Sequence, residues 1–133
     1  MLENVLERIG DLSQPLAAFA RAYLRRIPWD AGMSPETAYR EVVGLFDFIE
    51  RRAGPIQVRV FNPTLGTHGY ESTGTVVEIC VDDGPFLVDS VTAELQAYGL
   101  AVARVLHPVI GTTRDESGTL LSIEPASRTA TRE

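Results

Sequence analysis

The sequence contains no lysine, and all 12 basic residues among its 133 are arginine. The chain therefore has no lysine to act as a Schiff-base nucleophile, a P-loop cation or a general base. Acidic residues outnumber basic ones by 18 to 12, which gives a net charge of −6. Because nucleic acids and anionic membranes are recognised by basic surfaces, this balance argues against either as the main partner.

Cysteine and histidine are scarce as well. Cys80 is the single cysteine, which excludes an internal disulfide and a cysteine metal cluster. The two histidines, His68 and His107, leave little for a metal site, and the sequence has no HExxH, GxGxxG, GxSxG or CxxC motif. We expect no catalytic residue, no cofactor-binding residue and no metal ligand in this chain.

Long apolar runs are also missing. No run approaches the roughly 18 to 20 residues needed to span a bilayer, and the first residues lack the basic start of a signal peptide. Hydrophobic residues make up 44% of the chain and charged residues 23%, which are ordinary values for one soluble domain. A cytoplasmic protein is therefore expected.

The first 55 residues have helical periodicity. One helix is predicted to stop at Gly10, and a second to run from an N-cap at Ser13 to Pro28. A third is predicted to start at Ser34, with a buried stripe that includes Val42 and Ala53, and to close at 54–55.

The period of the hydrophobic pattern then changes from 3.6 to 2 residues, which predicts strands. They are expected at Ile56–Phe61, Thr75–Val81, Leu100–Thr113 and Thr119–Ile123, with Pro108 marking an edge or a bulge. Between the second and third strands, a helix over Pro85–Tyr98 is expected, with a core stripe of Leu87, Val88, Val91, Leu95 and Tyr98.

This order predicts an α+β fold with a β-β-α-β-β sheet and helices on one face. A right-handed crossover would place Thr75–Val81 parallel to Leu100–Ile110. The predicted regions are an N-terminal helical part (1–55), an α+β domain (56–123) and a flexible tail (124–133).

Polar residues at the start of the Pro85–Tyr98 helix form the best candidate site. One interpretation is a simple turn with a helix cap. The other is an amino-acid effector site, in which the free N–H groups of the helix bind a carboxylate and a nearby aspartate binds the ammonium group. The candidate effector or interface residues are Asp82, Asp83, Gly84, Pro85, Phe86 and Asp89.

The remaining reactive side chains have simpler explanations. His107, before a proline in a predicted strand, is expected to be a buried, hydrogen-bonded structural histidine. His68 is expected in a flexible loop, and Cys80 is expected to be a packed thiol facing away from Val77, Ile79 and Val81.

Several runs of residues resemble a family signature. They are Leu16–Tyr23, Val58–Pro63, Thr75–Val91, His107–Val109, Arg114–Asp115 and Gly118, and the most specific stretch reads Asp-Asp-x-Pro-Phe-Leu-Val-Asp-Ser-Val. Together they resemble the N-terminal segment of the very large bacterial NAD-specific glutamate dehydrogenases, over roughly residues 13–123.

The resemblance implies a partial ferredoxin-like, ACT-type domain that lacks its second helix and fourth strand. It places the NAD site and the catalytic machinery in a Rossmann-containing region far downstream. Enzymes of this type use lysine in catalysis, so a chain without lysine is not their catalytic domain.

Three functions remain open at this point: a non-catalytic regulatory and oligomerisation segment, an amino-acid-binding ACT sensor, and a purely structural docking domain. The implied partners are the remainder of the parent chain and other subunits of a homo-oligomer, with a candidate amino-acid effector. The missing strand would leave a sheet edge unpaired, which favours association.

Overall fold

A computed structural model describes residues 2–10, 14–25, 33–127 and 131–133. Its elements confirm the α+β class. They are α1 (Leu2–Ile9), α2 (Gln14–Leu24), α3 (Pro35–Glu50), β1 (Ile56–Phe61), α4 (Leu65–His68), β2 (Val76–Val81), α5 (Leu87–Ala97), β3 (Ile110–Arg114), β4 (Leu120–Pro125) and β5 (Thr131–Arg132). The predicted cap Ser13 and the predicted helix end at Ile27-Pro28 lie outside the described residues.

The three N-terminal helices pack against one another, and β4 lies against α2. The buried residues of α3 follow the predicted spacing at Ala38, Val42, Phe46 and Ile49, but Ala53, which was predicted in the same stripe, lies beyond the helix and is exposed. A single cluster of buried side chains joins these helices to Cys80, Ile110, Leu120 and Ile123 of the strands. Helices α1, α2 and α3 and strands β2, β3 and β4 therefore share one core.

Helix α3 begins as predicted and ends earlier than predicted. The Ser34 hydroxyl accepts the Thr37 N–H at 3.1 Å, with Pro35 in the first turn. The helix ends at Glu50, so closure at Gly54-Pro55 is wrong. The physical reason is tertiary, because the extended Arg51 bridges to Thr119 and the Arg52 N–H donates to the Gly118 carbonyl at 3.0 Å.

The strands form two antiparallel sheets, β1-β2 and β4-β3-β5. The predicted parallel pairing of Thr75–Val81 with Leu100–Ile110 is therefore wrong. Residues 100–109 contain no strand, and β3 starts only at Ile110, after Pro108. The segment is instead tied to α3, since Arg104 donates to both carboxylate oxygens of Glu41 at 3.2 and 3.1 Å.

The predicted flexible tail also differs from the structure. Strand β4 continues through Pro125, and β5 pairs with β3 in the registers Gly111↔Arg132 and Thr112↔Thr131. Glu133 exchanges two backbone hydrogen bonds with Ile110, each 2.9 Å long. Backbone pairing, which needs no side-chain periodicity, places residues 131–133 beside β3.

In the β1-β2 hairpin, side chains of the two faces alternate as predicted, but the polar face is the one that packs toward α3. Gln57 donates to the Phe48 carbonyl at 2.6 Å, and Arg59 donates to the Gly44 carbonyl at 3.2 Å. The opposite, apolar side is exposed at Ile56 (66%), Val58 (54%) and Val60 (62%). Period alone does not say which side of a strand meets the core.

Helix α5 forms close to its predicted position, but its predicted core stripe is wrong. None of its residues is buried. The four apolar residues of the stripe within the helix are half-buried, and Tyr98 is 75% exposed. No helix among the described residues has the length and apolar character required to cross a bilayer.

Gly118 lies in the turn between β3 and β4 and allows this turn to approach the end of α3. Its φ is +85°, and a Cβ placed there would lie 2.1 Å from the Arg52 carbonyl oxygen. Gly99 has a similar φ of +76° with open space around it. Alanine at either position would be strained by the positive φ, but only at Gly118 would it also clash with Arg52.

We predict that Gly118→Ala lowers the free energy of unfolding by at least about 2 kcal/mol, because it adds a clash to an unfavourable φ. Gly99→Ala, the matched control, has the strain alone and should cost about 1 kcal/mol. Urea unfolding measures both values. Equal losses would mean that contact with Arg52 does not constrain Gly118.

Candidate functional site

The turn that carries the predicted effector residues is held by ion pairs. Asp82 accepts from Arg52 at 2.7 Å, and Asp83 pairs with Arg132 at 2.9 Å. The Asp83 N–H also donates to the Arg132 carbonyl at 2.9 Å. Both aspartates thus connect the end of β2 to other parts of the chain, and the effector role stays a prediction.

The other predicted residues of the turn are placed differently. The helix begins at Leu87, with Phe86 as its N-cap and no side-chain cap hydrogen bond. Phe86 is 74% exposed and has a φ of +64°, which a bulky residue adopts only at an energetic cost. Gly84 is half-buried, Pro85 is exposed, and Asp89 lies exposed in the first turn of α5.

Next to this turn, two arginines converge on one carboxylate. Arg114 donates to Glu133 through Nε at 3.0 Å and Nη2 at 2.8 Å, and Arg52 donates through Nη1 at 2.7 Å. The side chains of Arg52 and Arg114 are each 11% exposed and that of Glu133 is 5% exposed. We call these three residues the arginine clamp.

Hydrogen bonds satisfy the rest of the arginine clamp. Arg52 also donates to the carbonyls of Gly54, at 2.9 Å, and Pro55, while Arg114 donates to the Gly118 carbonyl at 2.8 Å. Burial works to raise the pKa of the Glu133 carboxyl, but the hydrogen bonds from Arg114 and Arg52 outweigh it and lower that pKa.

Cys80 lies beside the arginine clamp, with its Sγ 4.0 Å from Nη2 of Arg114. It is 5% exposed, which confirms the prediction of a packed thiol. Burial and then the charge of Glu133 raise the pKa of this thiol, although Arg114 and Arg52 oppose the shift. A raised pKa suppresses the thiolate, so the geometry does not favour a nucleophile here.

A second polar cluster lies between one side of α3 and the loop after β1. This cleft, which we call the α3 cleft, has a volume of about 290 Å³. Its lining residues are Arg40, Val43, Gly44, Asp47, Arg59, Phe61, Thr67, His68 and Tyr70. The four from α3 recur at helical spacing, so they share one side of that helix.

His68 occupies an ordered turn rather than the expected flexible loop. Thr64 caps α4, its backbone N–H donates to Nδ1 of His68 at 3.0 Å, and Gly69 ends the helix at a φ of +80°. The His68 ring lies 4.8 Å from that of Phe61, centroid to centroid. The other histidine, His107, was expected to be buried but is exposed in an irregular segment.

Charged and aromatic groups pack closely around the α3 cleft. Arg59 donates to Glu78 through Nε at 2.7 Å and lies over the rings of Phe48 and Phe61. Burial raises the pKa of Glu78, although the hydrogen bond from Arg59 opposes the shift. Burial, followed by the charges of Glu41 and Glu78, raises the pKa of Tyr70 to about 12.

Sequence reasoning missed both polar clusters. The arginine clamp joins positions 52, 114 and 133, which no local motif relates. For the α3 cleft a local signal was present, because Thr64, His68 and Gly69 have the spacing of a capped helical turn. Among the described residues, no three His, Cys, Asp or Glu side chains form a group that could hold a metal ion.

We predict that Glu133→Gln destabilises the chain by about 3 kcal/mol, because it removes the carboxylate that pairs with the buried Arg114 and one of the two carboxylates that pair with Arg52. Glu124→Gln is the matched control, since Glu124 is exposed on β4, and its effect should stay within about 0.5 kcal/mol. Urea unfolding at neutral pH measures both.

The same pair of variants has a pH signature. Because the pKa of Glu133 is lowered on folding, its stabilising contribution is present above the unfolded pKa and is lost as the pH falls through the folded value. The acid-side loss of stability should therefore be smaller in Glu133→Gln than in the wild type. Identical slopes would contradict the electrostatic role of the clamp.

Comparison with known proteins gives one consistent family. A family model described as "Glutamate dehydrogenase, ACT1 domain" matches residues 19–133. A protein named NAD-specific glutamate dehydrogenase from Halomonas elongata is 29% identical over 138 aligned residues, covering 97% of this chain and 8% of its own length. No solved structure matches the chain significantly.

Proteins of the same name from two other bacteria are similar over shorter stretches. The one from Pseudomonas aeruginosa is 42% identical over 52% of this chain, and the one from Mycobacterium tuberculosis is 40% identical over 39%. The chain spans 8% of the length of the Halomonas relative and less of the other two. On the family match over residues 19–133, the chain belongs to the ACT1-domain family of glutamate dehydrogenases.

Proposed function

We propose that this chain is a non-catalytic regulatory and docking segment of an NAD-dependent glutamate dehydrogenase. Its relatives carry that name, and their sequences extend far beyond the region that matches this chain. In this proposal, the parent enzyme converts L-glutamate to 2-oxoglutarate and ammonia with NAD. The NAD site and the catalytic residues belong to the rest of the parent chain.

The exposed apolar side of the β1-β2 hairpin is the observation that carries the docking role. Its members face each other in three cross-strand pairs, Ile56↔Val81, Val58↔Ile79 and Val60↔Val77. Val77 and Ile79 are 39% and 38% exposed, and the β1 residues are more exposed still. An isolated two-stranded sheet with an uncovered apolar side gains stability when another element covers it.

The size of this surface, which we call the hairpin face, favours the rest of the parent chain as its occupant. Alternate residues of a strand lie about 7 Å apart and neighbouring strands about 5 Å apart, so three pairs span only roughly 14 by 5 Å. A stable complex of separate proteins buries about 800 Å² on each partner. A tethered element needs less area, because covalent connection raises its effective concentration.

We predict that the double variant Val58→Thr/Ile79→Thr weakens docking in the full-length parent enzyme by about tenfold, because it removes apolar contact from the centre of the hairpin face. Hydrogen exchange of the hairpin amides measures the effect, since undocking exposes them. In the isolated chain the same variant should change stability by only about 0.5 kcal/mol, because these side chains are already half exposed.

Leu65→Thr is the control, since Leu65 is 64% exposed outside the hairpin face. It should leave exchange of the hairpin amides unchanged in both contexts. Unchanged exchange in the full-length double variant would overturn the docking role.

We also predict that the purified 133-residue chain does not reduce NAD in the presence of L-glutamate. The sequence lacks the lysine on which this chemistry depends in enzymes of this type. An absorbance assay with the full-length parent as positive control checks this. Turnover by the isolated chain would show that it is catalytic.

A further inference from the structure

The α3 cleft contains guanidinium N–H groups that the fold does not use. Arg40 reaches Glu36 through Nε at 2.9 Å, and neither of its terminal nitrogens donates to a described residue. Arg59 uses Nε and Nη2 for Glu78 and for the Gly44 carbonyl, which leaves its Nη1 without a described partner. Both arginines line the cleft, so these donors are available to a further acceptor.

Tyr70 adds a buried donor that has no acceptor. The residue is only 6% exposed and lines the cleft, yet its hydroxyl forms no hydrogen bond with a described residue. Among the described side chains, Thr112 Oγ1 is the unpaired oxygen that is sealed from solvent, so the Tyr70 hydroxyl is accessible. With its pKa raised to about 12, this hydroxyl stays protonated at neutral pH. Because polar groups of buried residues are normally paired, it calls for an acceptor inside the cleft.

The turn after β1 supplies two more donors and fixes the position of Arg40. Because Nδ1 of His68 accepts the Thr64 N–H, the proton of the neutral ring is on Nε2. The Thr67 side chain belongs to the same lining. A Cβ at Gly69 would lie 2.9 Å from Cδ and 3.1 Å from Nε of Arg40, so the glycine allows the arginine to lie against this turn.

One negative charge stands among these donors. Asp47 is the single carboxylate among the described residues that line the cleft, and it has no ion pair or hydrogen bond to a described residue. Two guanidinium groups share the lining, and their partners Glu36 and Glu78 bind to other nitrogens. The cleft therefore offers many donors and one unpaired acceptor.

We propose that the α3 cleft binds a small phosphate monoester that carries free hydroxyl groups, the chemistry of a sugar phosphate. Its phosphate oxygens accept from Arg40, Arg59 and Tyr70, because a phosphate has three strong acceptor oxygens and pairs well with guanidinium groups. Its hydroxyl groups donate to Asp47. A volume of about 290 Å³ is at the small end of ligand sites and suits one sugar phosphate.

Other ligand classes use these groups less completely. Inorganic phosphate would leave Asp47 unpaired beside bound negative charge, and a neutral sugar would give the guanidinium groups only uncharged acceptors. A nucleotide lacks an aromatic face for its base, because the centre of the Phe61 ring already lies 4.8 Å from that of His68 and 4.6 Å from Cζ of Arg59. A sugar phosphate satisfies both the donors and the carboxylate.

Binding in the α3 cleft does not depend on the docking role. None of the residues that form the hairpin face lines this cleft. The experiment uses the 133-residue chain alone, whereas docking is tested in the full-length enzyme. Failure of one proposal therefore leaves the other intact.

The test is calorimetric titration of the chain with D-ribose-5-phosphate and D-glucose-6-phosphate. D-ribose, D-glucose and inorganic phosphate are the matched probes, since each lacks one part of the ligand. We expect at least one sugar phosphate to bind with a Kd below about 1 mM and about tenfold more tightly than its free sugar or inorganic phosphate. If neither sugar phosphate binds at this level, the proposal is wrong.

Two other results would also contradict it. Inorganic phosphate that binds as tightly as the sugar phosphates would mean an adventitious ion only, with no role for Asp47. A free sugar that binds as tightly as its phosphate ester would leave the arginines without a role.

Three variants locate the ligand. Arg40→Gln removes the unused terminal nitrogens, and Tyr70→Phe removes only the unpaired hydroxyl, so each should weaken binding of the sugar phosphate about tenfold. Asp47→Ala removes the acceptor for the sugar hydroxyl groups. It should bring the affinity for the sugar phosphate close to that for inorganic phosphate.

Two controls remove the same chemical groups outside the cleft. Arg25→Gln changes an exposed arginine of the α2 region, and Tyr98→Phe changes a tyrosine that is 75% exposed. Both should keep the wild-type affinity. A loss in Arg25→Gln equal to that in Arg40→Gln would reduce the effect to net charge and overturn the proposal.

Circular dichroism checks that each variant is folded. If Tyr70→Phe does not fold, Arg40→Gln decides the outcome, because Arg40 is exposed and its ion pair with Glu36 lies at the surface. Wild-type affinity in every folded variant of the cleft would place the ligand elsewhere and refute the proposal.

Discussion

The arginine clamp is the interaction on which the arrangement of this chain depends. Arg52 follows α3, Arg114 ends β3, and Glu133 follows β5, so one buried carboxylate joins three separate parts of the chain. Burying charged groups costs several kcal/mol for each ion unless they are paired and fully hydrogen-bonded, as they are here. The end of β2 joins the same junction through Asp82.

Polar contacts also decide which side of the hairpin meets α3. Arg59 and Glu78 lie on neighbouring strands in register, form an ion pair, and face the helix. Once these groups are turned inward, the alternation of the strands requires the valines and isoleucines to face outward. The open hairpin face thus follows from the ion pair. The docking role that we propose rests on this open face.

Local sequence predicted the elements well where local physics forms them. The cap at Ser34, the buried stripe of α3 and the periods of β1 and β2 depend on neighbours a few residues away. Prediction failed where a distant partner intervened. Helix α3 ends at Glu50 because the next residue, Arg51, bridges to Thr119, and β5 exists because its backbone meets β3. The parallel crossover failed because residues 100–109 are tied to α3 rather than to β2.

The sequence by itself determined the α+β class, the order of the elements other than α4 and β5, the packed thiol at Cys80 and the family signature. These properties depend on composition, periodicity and short motifs. Only the tertiary structure decided the split into two sheets, the outward apolar side of the hairpin and the two polar clusters. Arg52, Arg114 and Glu133 are far apart along the chain, and their mutual attraction acts only after folding has brought them together and excluded water.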